Sequence, residues 1–394
     1  MKFVTSISHL IDPQLAVKDL VSKLPDGKPS NVICYYTQDY NVSSLKDAFS
    51  KVFPGIPLIA CSTCRGIVSQ EGVHFGTVVG IMAVYDKDSS AFVSSVVNVT
   101  SDSNVGLETQ QALDDALTRL DRVGELPSFI LCHPTPGLEE QVVTAIDDYF
   151  QSPIPVVGGS ASDNHIKGKW SLFNEAQSAN SGVVMMLFYT DTKCTNSFSA
   201  GYTETFFSGK VTEANGRELI EIDGFPAQQV YRQWIAEHAN VDVPIHFEFD
   251  LVTKYSLGRK VGQIFDHNYF KLSHPIRVSS KTGGILLFTD INKGDIVTLM
   301  DGNRNEMIVR PARVVSDVSL GKPDDFKQLG AIFVICAGPM LYLKDDIYSL
   351  QQHIVEAIGD TPFLSPFTYG EQGRFIGGEI AHANLMVTSA VFHH

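Results

Sequence analysis

Three short apolar runs, each ending on a cysteine, recur along the chain: Val32-Ile33-Cys34, Ile130-Leu131-Cys132 and Val334-Ile335-Cys336. Apolar residues follow each cysteine at distances of 11, 14 and 18 positions. They are Leu45, Ala48 and Val52, then Val143, Ile146 and Phe150, then Ile347, Leu350 and Ile354. Steps of three and four place such residues on one face of a helix. A second apolar run then opens at Ile56-Pro57, Ile154-Pro155 and Pro362-Phe363 and passes into a polar loop. From cysteine to proline is 23 positions in the first two copies and 26 in the third, which predicts a small insertion in the third. Two strands joined by a helix pair in parallel. The expected fold class is therefore α/β, with mixed sheets built from repeated strand–helix–strand–polar loop units.

The rest of the pattern fills in around these copies. Lys2–Ser8 reads as a strand and Pro13–Leu24 as a helix with proline at its start. Phe75–Tyr85 and Ala91–Val99 read as a strand pair turning at Asp86-Lys-Asp-Ser89, and Leu107–Leu120 as an amphipathic helix. Gly182–Tyr189 matches Phe75–Tyr85 as the strand that follows a polar loop, so the first half reads as a duplication. The apolar pattern lapses between Asp191 and Ser208, which predicts a domain boundary and two α/β domains, 1–200 and 201–394. Beyond it lie a hairpin at Lys210–Ile222, a helix at Pro226–Glu237 and paired strands at Ile276–Ser280 and Gly284–Phe288. A strand at Asp295–Met300 and a closing strand at Asn384–Phe392 complete the set.

Charge narrows the partners. The 394 residues carry a net charge of −14, which disfavours nucleic acid and anionic membrane, since both need clustered Lys and Arg. The six cysteines are scattered rather than framed as disulfides, which fits a reducing cytoplasm. Apolar runs fall short of the roughly 18 residues of a transmembrane helix.

In open α/β sheets, ligands bind at polar loops beyond the carboxyl ends of strands. Here those loops hold Cys61, Ser62 and Thr63, then Gly158, Gly159 and Ser160, then Tyr369 through Glu371. Small residues let backbone approach a guest, and Arg65, Asp163 and Glu371 could match its charge. The loops could equally be the turns the repeat requires. Cys61-Ser-Thr-Cys64 is a C-x-x-C, open to three readings: a redox pair, half a metal site, or buried thiols. A thiol-dependent enzyme using Cys61 is the alternative function. No H-E-x-x-H, G-x-S-x-G or P-loop pattern occurs.

Two segments, Cys61-Ser-Thr-x-x-Gly66 and Val157-Gly-Gly-Ser-Ala-Ser-Asp163, resemble the amino-terminal region of FIST-domain proteins. Asp223-Gly-Phe-Pro-Ala-Gln-Gln-Val-Tyr231, Pro275-Ile-Arg277, Cys336-Ala-Gly338, Phe367-Thr-Tyr-Gly-Glu371 and His382-Ala-Asn384 resemble the carboxyl-terminal FIST region. The resemblance implies a cytoplasmic, non-enzymatic sensor of small, amino-acid-like molecules that feeds signal transduction. Its pocket would join the polar loops to Arg277, Tyr369 and Asn384. It also resembles the nitric-oxide-sensing type, which implies haem b and a histidine kinase or other signalling protein as partner. A haem would then be ligated by His274, His382 or His267.

Overall fold

The computed structural model describes residues 1–86, 90–264, 267–319, 326–375, 378 and 380–394, with Ile264 and His267 described by their backbone. The predicted turn at Asp86–Ser89 lies largely outside the described residues. The chain uses one seven-part unit three times: edge strand, helix, first central strand, helix, second central strand, crossing hairpin and return strand. In the first unit these are Lys2–Ser8, Pro13–Ser22, Asn31–Thr37, Val42–Val52, Leu58–Thr63, Gly66–Ser69 with Gly72–Phe75, and Val79–Tyr85. In the second they are Ala91–Asn98, Val105–Leu120, Phe129–Pro134, Glu139–Phe150, Val156–Gly159, Leu172–Asn174 with Ser178–Ala179, and Gly182–Tyr189. In the third they are Lys193–Ala200, Arg304–Ser319, Gln328–Cys336, Ile347–Ile358, Phe363–Thr368, Glu371–Arg374 with Ile380–Ala383, and Met386–His393. The α/β class with mixed sheets is thus as expected. The repeat is fuller than the pattern announced, because the third copy is complete as well.

In every unit the two central strands pair in parallel. The return strand lies antiparallel between the first central strand and the edge strand. The crossing hairpins leave their own units. Gly66–Ser69 pairs with the third unit's Phe363–Thr368, Glu371–Arg374 pairs with the second unit's Val156–Gly159, and Leu172–Asn174 pairs with the first unit's Leu58–Thr63. The exchange closes on itself, giving three six-stranded sheets of matching order.

Side-chain alternation explains the layering. Val32, Cys34 and Tyr36 face the helices of the first unit, packing on Ala16, Leu20, Leu45 and Phe49. Ile33 and Tyr35 face inward, where they meet Leu131, Val157, Met186, Val334, Leu364 and Phe392 from the other two units. The helices start where local chemistry allows. Asp12, Asn41 and Asn104 each accept an N–H from the first helical turn, at 2.9, 2.9 and 3.1 Å.

Two expectations are corrected. The three cysteines are not equivalent. Val32 and Ile130 donate to Pro57 and Pro155, and the residue that does so in the third unit is Ala331, bonding to Pro362. Cys336 therefore sits three positions beyond the place of Cys34 and Cys132, on the opposite face. Counted from this register, the third unit carries six extra residues, which make room for the short helix Ala337–Leu343. Second, the lapse from Asp191 to Ser208 is not a linker. It covers the edge strand Lys193–Ala200 and the start of the strand Tyr202–Asn215, whose polar positions are partly exposed. A cut at 200/201 falls inside the third unit, and two of the three sheets hold strands from both sides of it.

Beyond Ala200 the chain enters an inserted domain. Tyr202 to Gly302 forms its own sheet, with the helices Ala227–Ala239 and Phe249–Lys254, around Val211, Leu219, Tyr231, Ile235, Leu257 and Leu299. Its entry and exit touch, for Tyr202 pairs with Gly302 and the Asn303 N–H donates to the Gly201 carbonyl at 2.9 Å.

Candidate functional site

The three polar loops do converge, and they bond to one another. The Ser162 N–H donates to the Ser62 carbonyl, and the Cys64 N–H to the Phe367 carbonyl. The Ser160 N–H donates to Gly370, and Tyr369 returns a bond to Ser160. The Thr63 hydroxyl donates to the Gly66 carbonyl at 2.7 Å and accepts from the Phe367 N–H at 2.8 Å. Ser62 accepts from the Ser171 N–H at 3.0 Å. Ser62, Thr63 and Ser160 are wholly buried. The small residues serve the same hub: a Cβ on Gly158 would lie 1.7 Å from the Cys132 carbonyl oxygen, and one on Gly159 would lie 2.4 Å from the Thr368 hydroxyl.

A cavity opens beside this hub, where the inserted domain meets the triplicated body. It measures about 170 Å³. The inserted domain lines it with Phe247, Phe249, Val252, His274, Ile276 and Phe288, and the body with Ile166, Cys336, Gly338, Leu341, Tyr369 and Asn384. Asn384 ties the two walls together, accepting from the His274 N–H at 3.1 Å while its own N–H donates to Leu272. The His274 ring nitrogen Nε2 meets the Thr253 hydroxyl at 3.2 Å, and burial pushes its pKa down to about 3, so it is a neutral imidazole. On the far side of Leu341 a wider groove of about 560 Å³ carries Arg65, His165 and Tyr348. Arg65 is exposed, has a φ of 63°, and makes no ion pair among the described residues.

The FIST N domain matches residues 30–225 and the FIST C domain matches residues 227–374. The chain belongs to the FIST-domain family. A protein of Methanocaldococcus jannaschii, known as uncharacterized protein MJ1623, is 22% identical over 232 residues, which is 57% of this chain and 44% of that protein. The chain thus spans less than half the length of this curated relative. FIST domains are associated with small-ligand sensing in signal transduction. In this FIST protein, no helix among the described residues is long and apolar enough to cross a membrane.

The FIST fold distributes the remaining sequence candidates unevenly. Tyr369, Asn384 and His274 line the cavity, and Arg65 lies in the adjoining groove. Arg277 is exposed, one residue past the lining Ile276. Burial works against the charge of Asp163, but N–H groups of Lys169, His165 and Lys167 and the Tyr369 hydroxyl outweigh it and hold the carboxyl below its usual range. Its oxygens are therefore committed to shaping the loop. Glu371 is wholly buried, accepts from the Thr368 hydroxyl at 2.8 Å and the Met386 N–H at 3.1 Å, and burial pushes its carboxyl well above the usual range. The side chain of His267 lies outside the described residues.

Cys61 is buried in the shared core and free, and Cys64 is buried beside it in sequence. Desolvation pushes the Cys61 thiol well up and the Cys64 thiol to about 12, the reverse of an activated nucleophile. Sequence reading missed a polar cluster at the other junction of body and insert. There Arg217, in the turn of the inserted domain's first hairpin, meets Glu139 at 2.8 Å, Glu140 at 2.7 Å and Asp290 at 3.0 Å. Glu139-Glu140 opens a helix after Pro136-Gly137, where carboxylates favour the helix N-terminus. That signal concerns helix starts and could not name a partner 77 residues away.

Proposed function

We propose that this FIST protein is a cytoplasmic small-ligand sensor whose ligand enters the cavity between the inserted domain and the triplicated body. One observation carries the reading: the two walls come from two separately built parts, joined there through Asn384 and His274. A guest touching both walls favours the closed arrangement by its differential affinity, and a signalling protein such as a histidine kinase would read that arrangement. The lining limits the guest. It offers aromatic and aliphatic surface, one neutral imidazole and one amide, with no charged side chain. A cavity of about 150 Å³ holds a benzene, so a cavity of about 170 Å³ suits a ring-sized apolar body. An amino-acid-like molecule would place its side chain here and its carboxylate toward Arg65 across Leu341.

Haem does not fit this cavity. Its space beside His274 is about 170 Å³, below the ~300 Å³ at which pockets for drug-sized ligands begin. His382 is wholly buried, and Gly370 packs against its ring. The test is a thermal-shift and calorimetry panel of small aromatics and aromatic amino acids, repeated on Leu341→Trp, which fills the cavity. Binding by the wild type that is lost in the variant is expected. A panel that leaves the wild type unmoved, or binding unchanged in Leu341→Trp, overturns the reading.

A further inference from the structure

We propose that Glu139, Glu140 and His382 form a site for a divalent transition-metal ion, for which the Arg217 guanidinium is the built-in competitor. One ligand atom from each of the three residues lies within 4.8 Å of the others. Glu139 and His382 are 1% and 0% exposed. Two polar atoms here have no hydrogen-bond partner among the described residues: Nε2 of His382 and Oε1 of Gln372, both buried. Nε2 faces Oε1 of Glu139 at 3.9 Å, beyond hydrogen-bond reach. A cation with bonds of ~2.0–2.2 Å to each atom spans such a gap.

The hydrogen bonds show how the imidazole would be readied. The Gln372 amide nitrogen lies 3.1 Å from Nδ1 of His382 and 3.1 Å from the Ser160 hydroxyl, which itself donates to Oε1 of Glu139 at 2.9 Å. Turning this amide over, and moving the imidazole proton from Nε2 to Nδ1, would leave the Nε2 lone pair of His382 free for an ion, with the amide N–H groups taking the place of Oε1. Oε1 of Gln372 then accepts from Nδ1–H and from Ser160. The hydroxyl releases Oε1 of Glu139, and the Nε2 lone pair faces the carboxylate. An oriented second nitrogen is the usual support of a metal-bound histidine.

Charge favours a cation as well. Three carboxylates, Glu139, Glu140 and Asp290, meet a single guanidinium, with the Lys271 ammonium acting from farther off. Arg217 binds Oε2 of Glu139 and Oε2 of Glu140, so an ion drawing in Glu140 competes with it. Imidazole beside two carboxylates selects zinc, cobalt, manganese or iron over calcium and magnesium.

The experiment uses the full chain after chelator treatment. Cobalt(II) is titrated while its visible d–d absorption is followed, and zinc is then added in competition and read by calorimetry. One ion per chain is expected. His382→Gln and Glu139→Gln should each weaken binding by at least about tenfold, and Arg217→Gln should tighten it. Should His382→Gln fail to fold by circular dichroism, Glu140→Gln serves, since that side chain is partly exposed. The close imidazole pair His9 and His74, at 3.4 Å, is the control. A wild type that takes up neither ion at micromolar concentration overturns the proposal and leaves ordered water as the occupant. So does binding that survives at both Glu139 and His382 variants, or that disappears only with His74→Gln. The aromatic panel at the cavity is independent of all these outcomes.

Discussion

Buried histidines set how the molecule responds to acid. His133 is wholly buried, with Nδ1 2.8 Å from the Gly159 carbonyl and Nε2 3.2 Å from the Tyr35 hydroxyl. Those bonds suit a neutral ring that donates from Nδ1 and accepts at Nε2. Burial pushes His133 down to about 4 and His274 down to about 3. Unfolded, both return to about 6.5. The unfolded chain then binds more protons below that pH, so stability is complete above about pH 6.5 and is lost as pH falls toward 4. Urea unfolding at pH 7 and pH 5 should show a loss of up to about 2 kcal/mol per histidine; a flat profile would contradict it. The thiols supply a second test at this scale. In the native state Cys61 should resist alkylation, and rapid modification would restore the thiol-enzyme alternative. Residue identity made the polar loops legible in the sequence, because serine and glycine cluster there. It could not say whether those groups face a guest or one another. Ser62 and Ser160 bond within the chain, Ser62 to a neighbour 109 positions away and Ser160 to one 21 positions away.

Elements were legible wherever periodicity alone decides them. The paired spacing of Cys34 to Pro57 and Cys132 to Pro155 reflects two parallel pairs in the same register. The third copy misled because its first central strand runs on to Cys336, and an apolar strand end looks the same three residues early or late. The helix Arg304–Ser319 was also hidden, since Pro311 sits inside it, where proline ordinarily argues against a helix. Where two strands come closest, glycine is the trace. Gly158 sits so close to the Cys132 carbonyl that any side chain would force the parallel pair apart. Gly158→Ala should therefore destabilise by about 3 kcal/mol or more. Gly106→Ala meets nothing nearer than the Asn104 side chain at 3.7 Å within a helix, and should be neutral or stabilising by up to about 1 kcal/mol. Equal denaturation midpoints for the two variants would refute this account of the loop glycines.

At the scale of the whole molecule, the two FIST regions describe sequence while the physical parts are a triplicated body and an insert. The distinction has consequences for dissection. A fragment ending at residue 200 would lose Glu371–Arg374 and Ile380–Ala383 from the second unit's sheet, and from the third unit's sheet its three middle strands, Gln328–Cys336, Phe363–Thr368 and Met386–His393. The Gly66–Phe75 hairpin would then have no partner, leaving its strand edge and the inward faces of Leu131 and Val157 open to water. Such a fragment should aggregate or remain unfolded. Removal of 203–301 is a different operation. Tyr202 and Gly302 are already paired across the sheet, so a short glycine-containing turn can reconnect them without moving either end. All three exchanged hairpins and the central core lie outside the excised span. The shortened chain should keep a cooperative thermal transition and native-like circular dichroism, while losing one wall of the cavity and the Arg217 competitor together. If it fails to fold while the fragment 1–200 folds well, the body is not the autonomous part and the insert is no insert. If it folds, the same protein separates the two binding ideas. Aromatic ligands should no longer shift its melting, whereas cobalt should bind more tightly, because Glu139 and Glu140 no longer face a guanidinium.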